Sequence, residues 1–333
     1  MKKTMNTKRM FQFLLASSLF VGASSCSSSS DEKASCPYIN KVYEFKPAVG
    51  QFTNGLPMYV EGDTYADMLA KANKALVGPK SSMVSLGGFG GSVVFGFDHT
   101  IENKSGLRDF RVLGNAFKAA GNPNPDGSKD GGSAEPGIIL VSYDTNKNGL
   151  PDDEWYEIKG GEYDKSTKNY TITYFKPDPN KALKPISESD YVTDAEYIRW
   201  EDSLGDEGWK TKNRFHTQSY YPQWVNEDKI TFTGTLLPNN SKDESGTGNY
   251  WVSYPYEYGY ADNYPNNDPR SAIDIDWAID KDGNPANLPG IDFVKVYTGV
   301  NQEIGWLGEI STEVAGAYDL HLRNEVIKSK LNN

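Results

Sequence analysis

Short runs in which apolar and polar residues alternate, punctuated by glycine and proline, set the limits on what this chain can fold into. Val93, Phe95 and Phe97 alternate with Val94, Gly96 and Asp98; Ile230, Phe232 and Gly234 alternate with Thr231, Thr233 and Thr235. A period of two sends successive side chains to opposite faces of a strand, which a helix cannot reproduce. Comparable patterns fall at 82–86, 92–98, 108–113, 137–143, 154–158, 169–175, 228–237, 249–254, 272–278 and 291–298. With 21 Tyr, 14 Phe and 7 Trp beside 32 Gly and 18 Pro, the composition is that of a large β-sandwich or barrel. Residues 38–330 are expected to form one large β domain or two closely associated β units. One helix is expected over 64–76. Thr64-Tyr65-Ala66-Asp67 has capping-box form, and Tyr65, Leu69, Ala72 and Leu76 share a face before Gly78-Pro79 stops it. Gly87-Gly88-Phe89-Gly90-Gly91 reads as a tight β connection, since no Lys-Ser/Thr pair follows it.

The first 25 residues read as an export signal. Lys2, Lys3, Lys8 and Arg9 precede the apolar stretch Phe11 to Val21, which is too short to span a bilayer. Gly22, Ala23, Ser24 and Ser25 then lead to Cys26. This resembles a bacterial lipobox, with Ala23 where Leu or Val is usual, and it implies a lipid on Cys26. Residues 26–37 read as a solvated tether, and Ser27 to Lys33 resembles the acidic signals that send Bacteroidetes lipoproteins to the exterior face of the outer membrane. Removing residues 1–25, which carry four bases and no acid, takes the net charge from −11 to −15. Such a surface repels nucleic acid. Cys36 is then the only free thiol, which excludes an intrachain disulfide.

The sharpest motif is Asp144-Thr145-Asn146-Lys147-Asn148-Gly149-Leu150-Pro151-Asp152-Asp153-Glu154. Oxygens at alternating positions converge on a hard cation, and a glycine at the sixth position permits the sharp turn. Asp144, Asn146, Asn148, the Leu150 carbonyl and Asp152 fit a structural Ca²⁺ site, with Asp153 or Glu154 closing the shell because Trp155 stands where a bidentate acid is usual. The alternative is a metal-free Asx-rich hairpin, which the same residue types favour.

Catalytic patterns are sparse. His99, His216 and His321 lie far apart outside any HExxH frame, and Gly-x-Ser-x-Gly is missing. Zinc would need three or four ligands. A pair of carboxylates acting as a hydrolase remains open on sequence grounds. The reading is therefore of a non-catalytic binding protein. Its aromatics concentrate over 215–264, where Tyr254, Tyr256, Tyr258 and Tyr260 alternate and would project from one side of an extended segment. Rigid aromatics beside amides suit a large amphipathic ligand such as a glycan or a corrinoid. Trp224, Tyr256, Tyr258, Tyr260 and Trp306 are the expected anchors, with Asn263 and Asn301 as hydrogen-bonding partners.

Several stretches together carry a family resemblance. They are 85–91 (SLGGFGG), 109–117 (DFRVLGNAF), 135–144 (EPGIILVSYD), 151–156 (PDDEWY), 258–263 (YGYADN) and 305–309 (GWLGE). They resemble a family of Bacteroidetes cell-surface lipoproteins over nearly all of the chain after about residue 38, and the strand order resembles discoidin-type jelly rolls. Members tend to be encoded with vitamin B12 uptake genes. The resemblance implies a jelly-roll β-sandwich and a surface lipoprotein that assists corrinoid capture, with a TonB-dependent transporter as partner. A glycan-binding lipoprotein of a polysaccharide-utilisation system is the alternative, since no residue distinguishes the two ligands.

Overall fold

The alternating runs become strands, and their register shows which face of each is used. The computed structural model describes residues 34–79, 82–119, 130–186 and 191–330; the signal segment 1–25, the lipidation site Cys26 and residues 26–33 of the tether lie outside the described residues. The largest sheet has six antiparallel strands in the order β1 (Lys41–Lys46), β3 (Ser92–Glu102), β17 (Gly290–Thr298), β7 (Gly137–Ser142), β8 (Tyr156–Ile158) and β16 (Ala278–Ile279). Phe45 pairs with Val93, Val93 with Val296, and Val296 with Ile139, which makes one face apolar. The neighbouring row on the other face is different. Glu44 pairs with Val94, Val94 with Lys295, Lys295 with Leu140, and Leu140 with Glu157.

The apolar face is covered by α1 (Tyr65–Leu76), with β15 (Ala272–Ile273), β4 (Phe110–Leu113) and β19 (Gly316–Asp319) contributing to the same core. The capping box forms: Thr64 N donates to Asp67 Oδ2 at 2.8 Å, and Asp67 N donates to Thr64 Oγ1. The buried face holds Met68, Ala72, Ala75 and Leu76, whereas Tyr65 is 41% exposed. The helix is thus rotated from the face expected through Tyr65, because Met68 is wholly apolar whereas Tyr65 carries a hydroxyl that stays in water. β18 (Glu313–Val314) and β2 (Val84–Ser85) make a two-stranded ladder, and Val84 and Val314 join this core.

On the opposite side sit β9 (Thr167–Phe175), β10 (Val192–Asp202), β11 (Glu207–Asn213) and β12 (Lys229–Leu236), in the order β11-β10-β9-β12. Three consecutive strands with the fourth returning beside the first form a Greek key. Tyr170, Ile172 and Tyr174 of β9 and Ile198 of β10 share a core with Ile138, Tyr297 and Phe89. The six-stranded sheet is therefore a middle layer with a core on each side. A fourth sheet joins β13 (Ser241–Asp243), β14 (Trp251–Ser253), β6 (Gly132–Ser133) and β5 (Phe117–Lys118).

The described residues thus form a β-rich fold with one α-helix and five sheets, more than the two of a simple sandwich. Asp109-Phe110-Arg111-Val112-Leu113 resembles Asp292-Phe293-Val294-Lys295-Val296, but β4 and β17, which hold most of these residues, lie in different sheets. The expected strand 272–278 is interrupted: Asp274 caps a 3-10 turn over Ile275–Trp277, and β16 joins another sheet. Residues 254–260 are bends and irregular chain, so the four tyrosines do not line up on one strand. From Ser35 onward the chain is one compact unit. Among the described residues no helix is long and apolar enough to cross a membrane.

Candidate functional site

The expected Ca²⁺ loop draws its side chains together. Asn148 N and Gly149 N donate to the Asp144 carboxylate at 3.1 and 2.8 Å. Asn146 Nδ2 reaches Asp152 Oδ1 at 3.2 Å, and Asn148 Nδ2 reaches Asp152 Oδ2 at 3.0 Å. Lys147 and Gly149 take the left-handed backbone the turn requires, with φ of 57° and 71°. The Leu150 carbonyl accepts from Asp152 N at 2.9 Å. Asp153 accepts from the Thr145 hydroxyl through Oδ1, and its buried Oδ2 has no partner; Glu154 accepts from the Tyr156 hydroxyl at 2.9 Å and is exposed. The donor set is all oxygen once both asparagine amides turn their carbonyls inward, which suits a hard cation.

The seven aromatic and amide residues expected to bind ligand do not converge on one surface. Trp224 stacks near Phe45 and Tyr59, with centroids 6.3 and 6.2 Å away. Tyr256 donates its hydroxyl to the Pro238 carbonyl, and Tyr260, 3% exposed, packs on it. Asn263, also 3% exposed, bridges both backbone groups of Tyr256 at 2.8 and 2.7 Å. Tyr258 lies against Trp277 at 4.9 Å. Asn301 donates to the Tyr170 hydroxyl at 3.3 Å, and its buried Oδ1 has no partner. Trp306 alone joins an exposed aromatic group, 5.6 Å from Tyr191 and 6.2 Å from Phe215. Tyr256, Tyr260 and Asn263 therefore serve the second core and its turn, because their polar atoms are consumed by neighbouring chain.

The register points to another place. Beside β12, the polar half of the six-stranded sheet faces an open cleft of about 490 Å³. Glu44, Lys295 and Glu157 sit on its floor in one cross-strand row. Consecutive charges are two strands apart, about 10 Å, too far to pair with each other. Lys295 has no carboxylate within ion-pair distance among the described residues. Burial raises the Glu157 carboxyl, opposed by a 2.7 Å hydrogen bond from Thr235 Oγ1 and by the charge of Lys168. Burial lowers the Lys168 ammonium, which stands 3.0 Å above the Tyr163 ring and donates to the Tyr163 carbonyl at 2.8 Å. Trp155 and Tyr163 supply aromatic walls. The cleft thus offers separated charges and flat apolar surface to one ligand. The sequence held a signal for it: Lys295 stands between the apolar pairs Phe293-Val294 and Val296-Tyr297 of β17.

A second cluster was not legible in the sequence. Glu135, Asp262 and Glu313 bring carboxylate oxygens within 4.8 Å of one another; Asp262 and Glu313 are buried and Glu135 keeps partial access. Asp262 Oδ1 accepts from Asn115 N and Ala116 N at 2.7 and 2.8 Å, and Oδ2 accepts from Glu313 N at 2.9 Å. A side chain at Gly114 would collide with the Asp262 carboxylate, so glycine permits this approach. Burial, then the charge of Glu313, pushes the Asp262 carboxyl up to about 8, and Glu135 is raised by burial and by the same neighbour. The three oxygen ligands can hold a cation or share protons.

A scan of protein-family models finds no match to this chain, and a search of curated proteins finds no significant match.

Proposed function

We propose that this chain is a non-catalytic ligand-binding protein, anchored through a lipid on Cys26 to the outside of the outer membrane, that assists corrinoid capture. The observation that supports it is the open cleft, whose floor row of Glu44, Lys295 and Glu157 lies beside aromatic walls. An amphipathic ligand with amide and anionic edges finds both kinds of surface there. In this reading Trp306, with Tyr191 and Phe215, is a second aromatic contact outside the cleft, and a TonB-dependent transporter receives the ligand. The two large sheets and their Greek key are read as a jelly-roll sandwich to which smaller sheets were added. The loop at Asp144 to Asp152 holds a structural Ca²⁺ that fixes the connection from β7 to β8 at the cleft rim. Aromatic walls beside carboxylates also suit sugar rings, which favours a glycan as the second reading.

Titration calorimetry with cyanocobalamin and with a glycan panel tests the proposal. Saturable heat with cyanocobalamin, weakened by Lys295→Met, is expected. Heat from a glycan alone would move the assignment to the second reading, and no heat from either would overturn ligand capture at this cleft.

A further inference from the structure

We infer a second binding site, for a small organic anion on a flat apolar body, in the cavity built around Lys212. This cavity of about 490 Å³ shares no lining residue with the cleft above. It lies where the chain after β9 meets β10, β11 and the turn at Tyr221, with Tyr197, Tyr221 and Pro222 among its walls. Three lysines line it, in a chain whose net charge is −11.

The three lysines are not equivalent. Lys181 donates to the Glu196 carbonyl and lies 3.8 Å from its carboxylate. Lys176 donates to the Val225 carbonyl at 3.1 Å and stands 5.5 Å from the Tyr221 ring centroid. Both ammonium groups thus cap chain that the fold needs capped. Lys212 has no such task. Its Nζ lies 4.6 Å from the Tyr197 ring and 5.9 Å from the Tyr220 ring, and among the described residues no oxygen accepts from it. Three donors on a half-buried ammonium are left to solvent or to a ligand.

Asp178 and Asp194 also line the cavity, and neither lies within ion-pair distance of Lys212. Asp194 Oδ1 accepts from Lys184 N and Glu196 N at 3.3 and 3.0 Å. Asp178 Oδ1 accepts from Asn180 N at 2.8 Å, and Glu196 pairs with Lys184 at 2.5 Å. An anion in the cavity has Lys212 and Lys176 on its lining, and only Lys212 is free of a carbonyl acceptor. The tyrosine and proline walls then offer rigid apolar surface to the body that carries the charge. A bare inorganic anion uses only half of this lining, and a neutral ring uses only the other half.

Phenyl phosphate is the probe, with inorganic phosphate and benzyl alcohol as the charge-only and body-only controls, titrated into the full chain by calorimetry. Phenyl phosphate is expected to bind at least tenfold more tightly than either control. Lys212→Met is expected to weaken it by tenfold or more, while Lys295→Met in the other cleft leaves it unchanged. Melting curves verify that Lys212→Met folds; if it does not, Lys176→Met and the ring-proton shifts of the wild-type tyrosines on adding probe replace it. Unaltered binding by Lys212→Met and Lys176→Met, equal binding of inorganic phosphate, or no binding at millimolar probe would each overturn the site.

Discussion

Replacing Glu135 by Gln is predicted to make this protein more stable at pH 8 and to leave it nearly unchanged at pH 5. Glu135, Asp262 and Glu313 meet without a Lys or Arg in contact among the described residues. Burial raises all three carboxyl groups, so the folded chain holds protons that the unfolded chain has released. Stability drawn from the cluster is complete below the ordinary carboxyl range and is lost as pH rises to the folded values. For Asp262 that window runs from 3.8 to about 8. Each such group removes up to about 1.4 kcal/mol per pH unit across its window. Three pH units therefore cost at most about 4 kcal/mol for one group. Glu135 and Glu313 share a side-chain hydrogen bond, and a Gln amide can donate in such a bond without titrating.

Urea denaturation at pH 5, 6.5 and 8 in the presence of a chelator measures this. The wild-type midpoint should fall as pH rises, and Glu135→Gln should flatten the fall. Parallel profiles for the two proteins would refute the reasoning. Other groups act in the same sense: burial pushes Asp109 up to about 6 and Glu309 up to about 8. On the acid side, Arg270 holds Asp130 down to about 2, and stability from that pair is lost only as pH falls toward that value. A divalent cation in the cluster would replace the protons and restore stability at pH 8.

Calcium should raise the melting temperature in scanning calorimetry relative to chelator, and Asp144→Asn with Asp152→Asn should abolish the rise; equal temperatures in wild type would leave the metal-free hairpin. Thr64→Ala removes the acceptor for Asp67 N and should cost about 1 kcal/mol in a denaturation midpoint, with the helix retained. Lys295→Met should weaken cyanocobalamin binding about tenfold or more, as loss of a charge-assisted contact does, without lowering the melting temperature; unchanged affinity would remove Lys295 from the site.

The sequence displayed those strands whose two faces differ. The runs at Ser92–Glu102 and Lys229–Leu236 alternate, and both form strands. Val192–Asp202 did not stand out, because charged residues fall on both sides of its apolar positions and it pairs through register shifts. The capping box at Thr64 was legible because it is local, but which helix face is buried depends on what covers it, and Met68 decided that. Tyr260 and Asn263 looked like ligand contacts because tyrosine and asparagine serve binding faces and turns equally. Only neighbours distant in sequence, such as Glu162 N donating to the Tyr260 hydroxyl at 3.0 Å, reveal the second use. The carboxylate cluster is assembled from segments far apart in the chain, and no spacing rule anticipates it.

The position of the cleft follows from one strand. β17 sends Val294 and Val296 to the core under α1, and Phe293, Lys295 and Tyr297 to the other face. Tyr297 is buried with Ile138 under the Greek key, and its hydroxyl accepts from Thr235 N at 2.8 Å, which closes the last part of the β12 edge. One row further along the strand lies Lys295, flanked across the sheet by Glu44 and Glu157. Covering that row with the apolar side of a second sheet would desolvate three separated charges, at a cost of several kcal/mol each. The cover therefore ends at β12, and the charged row stays in contact with water. A lysine within Ile291-Asp292-Phe293-Val294-Lys295-Val296-Tyr297 thus marks, in the sequence itself, where the second layer stops.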